Sequence, residues 1–265
     1  MNSSKISQAF ANLKTTNQKG FIPFITAGDP NLETTKNLIL MLAKSGATII
    51  ELGIPFSDPM ADGVTIQKSS ERALKNDFGI AEILNLTREA RRETEIPIIF
   101  FGYFNPLLQY GLEKLCTDAR EAGVDGFLVT DLVPEEAESF SASLRQNNLD
   151  MIFLVAPTSS DERLKMVAGK ASGFIYAVSR AGVTGTQKET SDSAEILVNR
   201  MRRFSDVPIA VGFGISTAKQ ISETLEYADA AVVGSAIVSE IERQKDSKNL
   251  ISTVEEFVRK LLSEK

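Results

Sequence analysis

The chain has 265 residues, a formal net charge of −6, one cysteine and no histidine. This charge argues against a nucleic-acid surface, which needs clustered lysine and arginine, and no apolar run approaches the roughly 20 residues of a membrane helix. Without histidine a histidine-ligated metal site is excluded, and acid–base chemistry near neutral pH must use carboxylates, tyrosine, lysine or the cysteine.

Helical and strand patterns alternate along the chain. A stripe of Ile6, Phe10 and Leu13 after Ser3 and Ser4 predicts an N-terminal helix capped by one of these serines. Eight short apolar runs follow, with segments of helical period between them, and predict strands over residues 21–26, 48–52, 98–102, 126–130, 151–155, 174–178, 209–212 and 230–234.

These strands are typical of a parallel sheet that is buried on both faces, and none of them has the pattern of a polar edge strand. We therefore predict an α/β fold: a single (β/α)8 TIM-barrel domain over residues 1–265 with an extra N-terminal helix. The alternative is an open, doubly wound sheet.

Three helix starts can be located more closely. Asn31 precedes a first turn with Glu33, which predicts a capped helix start. Pro134 stands before two glutamates and predicts a start near residue 135. Ser216 is predicted to cap a helix over residues 217–227.

Glycine-containing turns follow the last three predicted strands, at residues 180–186, 212–216 and 234–237. Glycine allows the backbone to approach an anion, and free amide groups at a helix start, such as those near Ser235, can bind phosphate oxygens. One such turn alone would favour simple strand-to-helix punctuation. Three of them on consecutive units predict a phosphate site at the end of the barrel where such sites occur.

Glu51 lies at the end of the second predicted strand, inside an apolar run. Strand alternation places it on the same face as Ile49, which is the inward face if Ile50 and Leu52 meet the helices. Partial burial would raise its pKa toward neutrality and let the carboxyl group both donate and accept protons. Position alone leaves two roles open, an acid–base catalyst and a structural carboxylate bonded to backbone amides.

Other polar groups come from the following loop and from later strand ends. Asp58 and Asp62 could bring a second carboxylate to the substrate, or they could simply form Asp-Pro and Asp-Gly turns; Asp58, which precedes Pro59, fits a turn better. Tyr103 and Tyr176 could give a hydrogen bond while their rings line a pocket, with plain packing as the alternative.

Four segments together resemble one known family. They are FIPFITAGDP (21–30), ELGIPFSDPMADG (51–63), SRAGVTG (179–185) and GFGIS (212–216). Their content and order resemble the tryptophan synthase alpha subunit, and the resemblance runs from about residue 10 to residue 238. It implies a TIM-barrel lyase of tryptophan biosynthesis that cleaves indole-3-glycerol phosphate to indole and glyceraldehyde 3-phosphate by a retro-aldol reaction.

The resemblance also implies roles for individual positions. Glu51 matches the acid–base glutamate, Asp62 matches the aspartate that contacts the indole nitrogen, and Tyr176 matches a tyrosine after strand 6. A mobile lid corresponds to residues 180–192, with Thr184 placed to touch Asp62 on closure. The phosphate-binding positions correspond to Gly185, Gly214, Gly234 and Ser235, and the aromatic residues expected to line the substrate pocket are Phe24, Tyr103 and Phe213.

By the same resemblance, the partner is a pyridoxal-phosphate-dependent beta subunit in an α2β2 complex. The docking surface is expected to include residues 55–63 and 105–108, and this chain is expected to hold neither a cofactor nor a metal ion of its own. Val64 stands where most relatives have proline, which is expected to loosen the loop that holds Asp62, and Phe104 stands where many have a smaller residue.

Three other functions remain open at this point. A free-standing indole-3-glycerol-phosphate lyase would use the same site without a beta subunit. A sugar-phosphate isomerase would share the glycine turns but would not need Asp62, and a non-catalytic activator would need neither Asp62 nor Glu51.

The compartment can be predicted only from general features of the chain. Residues 1–13 lack the apolar core of a signal peptide, and the single cysteine, Cys116, cannot form an internal disulfide. We expect a cytoplasmic protein, or a protein of the plastid stroma if the source is a plant and a transit peptide has been removed.

Overall fold

A computed structural model describes residues 4–179, 187–212 and 214–264. Eight parallel strands form a closed barrel in chain order, and β8 pairs with β1. The strands are β1 (Gly20–Thr26), β2 (Ile50–Gly53), β3 (Ile98–Gly102), β4 (Gly126–Val129), β5 (Asp150–Val155), β6 (Ile175–Val178), β7 (Ile209–Gly212) and β8 (Ala230–Val233). The predicted TIM barrel is therefore confirmed, and each predicted strand is present with bounds that differ by at most two residues.

Helices follow the strands and cover the outside of the barrel, as the helical periods predicted. They are α1 (Lys5–Thr15), α2 (Leu32–Lys44), α3 (Val64–Leu74), α4 (Ile80–Ala90), α5 (Phe104–Tyr110), α6 (Leu112–Ala122), α7 (Glu138–Gln146), α8 (Asp161–Lys170), α9 (Gln187–Met201), α10 (Ala218–Tyr227), α11 (Ser235–Gln244) and α12 (Leu250–Leu261). In the part of the chain that the structure describes, no helix combines the length and the apolar character needed to cross a membrane.

The apolar residues divide into two layers because successive side chains of a strand point to opposite faces. In β2, Ile50 and Leu52 belong to the layer between the strands and the helices. Ile49, just before β2, belongs to the layer inside the barrel. Glu51 alternates with Ile50 and Leu52, so it points inward as predicted, and its Cα lies between those of Phe24 in β1 and Ile99 in β3.

Helix α1 closes the amino-terminal end of the barrel. Its buried residues, Ile6 and Phe10, join the interior layer, and the Phe10 ring lies 6.0 Å from the ring of Phe174. Ser4 caps the helix by accepting a hydrogen bond from the backbone N–H of Ser7. Apolar side chains therefore fill the barrel interior at this end.

The predicted helix starts had mixed outcomes. The cap at Asn31 is confirmed, since its side chain accepts from the N–H of Thr34. The start near residue 135 is wrong, because residues 134–136 form a turn and α7 begins only at Glu138. The cap at Ser216 is wrong by one residue: Thr217 is the cap, and Gln220 completes a reciprocal capping box with it.

Candidate active site

A cavity of about 320 Å³ opens at the carboxyl-terminal ends of the strands. Its walls come from both halves of the barrel, so residues far apart in sequence meet there. The lining residues are Phe24, Glu51, Asp62, Gly63, Val64, Thr65, Ile66, Phe101, Tyr176, Gly214, Val232, Gly234 and Ser235.

Glu51 is the carboxylate at the base of this cavity. Only 1% of the residue is exposed, and its Oε1 atom has no hydrogen-bond partner among the residues that the structure describes. Burial raises the pKa of Glu51 well above its usual value. A carboxyl group in this state keeps its proton to a higher pH than an exposed carboxyl group does and can release it to a bound molecule.

Asp62 enters the cavity from the loop between β2 and α3. Burial raises the pKa of Asp62 to about 6, and a hydrogen bond from the Tyr103 hydroxyl opposes this effect. The same hydroxyl accepts a 2.9 Å bond from the N–H of Ala61, so it holds the loop at two neighbouring positions. Asp62 is therefore largely ionised at neutral pH, whereas Glu51 keeps its proton more readily, so the two carboxyl groups of the site differ in how easily they ionise.

Tyr176 lies on β6, buried beside both carboxylates. The pKa of its phenol is raised well above the usual value, first by burial and then by the charges of Glu51 and Asp62. The hydroxyl packs against the backbone of Gly212 in β7, where an added Cβ atom would lie 2.1 Å from the phenol oxygen. Glycine at this position makes the observed placement of Tyr176 possible.

Two phenylalanine rings form an apolar wall of the cavity. Phe24 and Phe101 meet edge to face, with ring centroids 5.2 Å apart and planes at 79°. Gly53 makes room for this arrangement, because a Cβ atom there would lie 2.5 Å from the Phe24 ring. The wall suits a flat aromatic ligand, which would gain both apolar contact and ring stacking.

Gly234 and Ser235 lie at the start of α11, on the side of the cavity formed by the last strands. Gly234 precedes the helix and provides no side-chain cap, so the first-turn amide groups are available to a ligand. Such amide groups and the helix dipole favour an anion. Gly214, after β7, lines the same part of the cavity. The site therefore combines an anion-binding end, an apolar wall and two carboxylates.

The structure brings together most of the residues predicted for the site. Glu51, Asp62, Tyr176, Phe24, Gly214, Gly234 and Ser235 all line the cavity. Tyr103 does not line it but contacts Asp62 behind it. Predictions for Thr184, Gly185 and Phe213 fall outside the described residues.

Two lining residues at the start of α3, Thr65 and Ile66, were not predicted from the sequence. A sign of their position was available, because they directly follow the Asp62 loop and open a helix. Among the described residues, no group of three or more cysteine, aspartate or glutamate side chains is placed to hold a metal ion.

Comparison with known proteins identifies related sequences over nearly the whole length. The family model described as tryptophan synthase alpha chain matches residues 10–264. The chain is 52% identical to the tryptophan synthase alpha chain of Geotalea uraniireducens (strain Rf4), over 89% of this chain and 88% of that protein. It is 50% identical to that of Geobacter sulfurreducens, over 91% of each.

Solved structures similar to this chain also come from tryptophan synthase. The tryptophan synthase subunit alpha of Legionella pneumophila str. Paris superposes with a TM-score of 0.92 at 36% identity, covering 99% of this chain and 98% of that one. A chain from the tryptophan synthase α2β2 complex of Pyrococcus furiosus superposes with a TM-score of 0.85 at 40% identity, covering 92% and 98%.

Proposed function

Because the chain belongs to the tryptophan synthase alpha chain family, and is thus a lyase that cleaves indole-3-glycerol phosphate, we propose that Glu51, Asp62 and Tyr176 carry this reaction. The observation on which the proposal depends is the buried carboxyl group of Glu51, whose Oε1 atom has no hydrogen-bond partner among the described residues and which faces the same cavity as the start of α11. A substrate with an anionic tail and an aromatic head fits between these two features.

Glu51 serves as the proton carrier in this proposal. Its protonated carboxyl group gives a proton to the ring carbon that bears the glycerol chain, which leaves a cationic indole ring. The resulting carboxylate then takes the proton of the adjacent hydroxyl group as the carbon–carbon bond breaks. The bond electrons return to the ring, so indole and the aldehyde form and Glu51 is again protonated. Its raised pKa suits both steps.

Asp62 stabilises the cationic ring. An ionised carboxylate that accepts the indole N–H places negative charge close to the positive charge that develops during protonation. Tyr103 supports this role because its hydroxyl bonds both the Asp62 carboxylate and the neighbouring N–H of Ala61. The Phe24 and Phe101 rings hold the indole in register beside it.

The phosphate group binds at the start of α11, to amide groups near Gly234 and Ser235, with Gly214 beside them. Tyr176 lines the same cavity, buried close enough to both carboxylates to feel their charges, and is suited to bond the glycerol hydroxyl groups. No cofactor is required for these steps, because every proton transfer uses a side chain of this chain.

A direct assay of the products tests this proposal. Purified chain incubated with indole-3-glycerol phosphate should release indole and glyceraldehyde 3-phosphate in equal amounts, measured by chromatography and by a coupled dehydrogenase assay. Failure to release indole from this substrate would overturn it. Asp62→Asn should abolish most indole release while the affinity for glycerol 3-phosphate stays unchanged.

We also propose that the chain works with a beta subunit that consumes the indole. The Pyrococcus furiosus relative occurs in an α2β2 complex. In this chain, large apolar side chains are exposed at Met60 in the loop after β2, at Val64, which lines the cavity, and at Leu108 on α5 after β3, and Met60 is 92% exposed. Exposed apolar side chains in segments that follow the strands suit a protein partner that receives an apolar product.

Sedimentation with a beta subunit tests this part separately. Wild-type chain should co-sediment with the beta subunit and release indole faster in its presence, and Met60→Asp should weaken both effects. Turnover that is equal with and without the beta subunit would instead favour the free-standing lyase.

A further inference from the structure

Two helices, α3 and α11, begin at the two ends of the proposed substrate site. Helix α3 starts at Val64, two residues after Asp62, and α11 starts at Ser235 in the anion-binding region. These helices pack against each other. A change in the angle between them would therefore change the separation between Asp62 and the phosphate position.

Arg72 connects these helices from within α3. Its guanidinium donates two hydrogen bonds to the Asp29 carboxylate, at 2.9 and 2.8 Å, and a third to Oε1 of Glu242 on α11 at 2.8 Å. The Arg72 side chain is 15% exposed, and Asp29 is buried in the loop after β1. Paired bonds of this kind fix the guanidinium plane as well as its position.

The connection lies at a similar depth behind the cavity on both helices. Arg72 follows Val64 by eight residues and Glu242 follows Ser235 by seven, which at 1.5 Å per residue places both about 10–12 Å from the helix starts. A bond between two helices at this depth resists a change in their crossing angle. It does not touch the substrate.

Hydrogen bonds also hold helix α3 and the residues just after it to the end of β1 and the loop that follows. Helices in such positions usually rely on an apolar stripe. The hydroxyl groups of Ser69 and Thr26 are 2.6 Å apart, and the Asn76 side-chain amide donates to the carbonyl groups of Gly28 and Pro30. Hydrogen bonds have narrow distance and angle preferences, so they fix the axial position of α3 more strictly than apolar contact does. Arg72 extends this series of bonds to α11.

We propose that Arg72 is a positioning residue for the lyase reaction, which holds Asp62 at the correct distance from the phosphate-binding start of α11 by bonding Asp29 and Glu242 together. This inference rests on the proposed function, because the distance matters only if one substrate spans both places. An error of about 1 Å in such a placement can cost orders of magnitude in rate.

Glu242→Met is the sharpest test, since it keeps the length of the side chain, removes the acceptor of the Arg72 hydrogen bond and leaves the Arg72–Asp29 pair intact. Glu255→Met is the matched control: Glu255 has a similarly exposed side chain, 33% against 36%, and pairs with Arg259 within α12. Arg72→Lys is a second variant that keeps the charge and loses the paired geometry, but it leaves the buried Asp29 poorly paired and will also lower stability.

The expected result for Glu242→Met is a fall in kcat of about tenfold, equivalent to about 1.4 kcal/mol. The dissociation constant for glycerol 3-phosphate should stay within about twofold of wild type, because the amide groups of α11 are unchanged. In an Asp62→Asn background, Glu242→Met should cause no further loss of kcat in single-turnover assays, because its effect acts through Asp62.

Two results would overturn the inference, and they can be told apart from failure of the proposed function. Glu242→Met turnover equal to that of Glu255→Met, measured well below both melting temperatures, would refute the role of the Arg72 connection alone. An equal fold loss in both backgrounds would refute action through Asp62. Wild-type turnover in Asp62→Asn itself would refute the catalytic role of Asp62, and the inference with it.

Discussion

Replacing Gly212 by alanine tests the placement of Tyr176. The added Cβ atom would lie 2.1 Å from the phenol oxygen, 2.6 Å from Cζ of the same ring and 2.9 Å from Cβ of Val232. Ordinary contacts begin near 3.4 Å, so the phenol must move by more than about 1 Å. The strand backbone cannot retreat easily, because Gly212 pairs with Val178 in β6.

This displacement has two expected effects. Overpacking in a close-packed interior lowers the free energy of unfolding by about 1–3 kcal/mol. Loss of correct alignment beside the substrate lowers kcat by about 100-fold. The first is measured by denaturant unfolding and the second by indole release under saturating indole-3-glycerol phosphate.

Gly169→Ala is the matched control, because an added Cβ atom there meets nothing within 4 Å and the position lies inside α8. It should keep kcat unchanged and slightly raise stability. Tyr176→Phe combined with Gly212→Ala should recover part of the lost stability, since the atom of closest approach is removed. Unchanged kcat and stability in Gly212→Ala would refute the described packing.

Three further predictions concern ionisation and the loop after β2. Glu51→Gln should stabilise the protein relative to wild type, and the stabilisation should grow as pH rises above about 4.5. It should grow by about 1.4 kcal/mol per pH unit until the folded-state pKa of Glu51 is reached, because the carboxyl group loses its proton first in the unfolded chain. A difference in the free energy of unfolding that does not depend on pH would contradict this. The kcat/KM of wild type should rise with pH through about 6 as Asp62 ionises, and Asp62→Asn should not show this rise. An identical pH profile in both proteins would contradict the catalytic role of Asp62. Val64→Pro should raise the free energy of unfolding by about 0.4–1 kcal/mol. Val64 is the first residue of α3, where proline is tolerated, and the backbone of Gly63 (φ −73°, ψ 161°) suits a following proline. A lower melting temperature would refute this.

The barrel and the orientation of Glu51 could be predicted from the sequence because both follow from local periodicity. Strand alternation alone separated Glu51 from Ile50 and Leu52, and the structure places these residues in the cavity and in the outer layer respectively. The turns at Gly214 and Gly234 likewise follow strands that must end on the same side of a parallel barrel.

The features that the sequence did not reveal depend on contacts between distant segments. Tyr103 was predicted to touch the substrate, but it lies behind Asp62 and bonds that residue and Ala61. The connection from Asp29 through Arg72 to Glu242 spans 213 positions, and no local pattern marks it. The start of α7 was wrong for a related reason, because the acidic residues after Pro134 belong to a turn instead of a helix start.

Single-turnover cleavage of indole-3-glycerol phosphate by Glu51→Gln, measured beside its affinity for glycerol 3-phosphate, tests the central claim most directly. Glutamine fills the same space but cannot carry a proton between the two reacting atoms. The account predicts unchanged affinity with a cleavage rate lower by several orders of magnitude, since both proton transfers lose their carrier. A cleavage rate near that of wild type would contradict it.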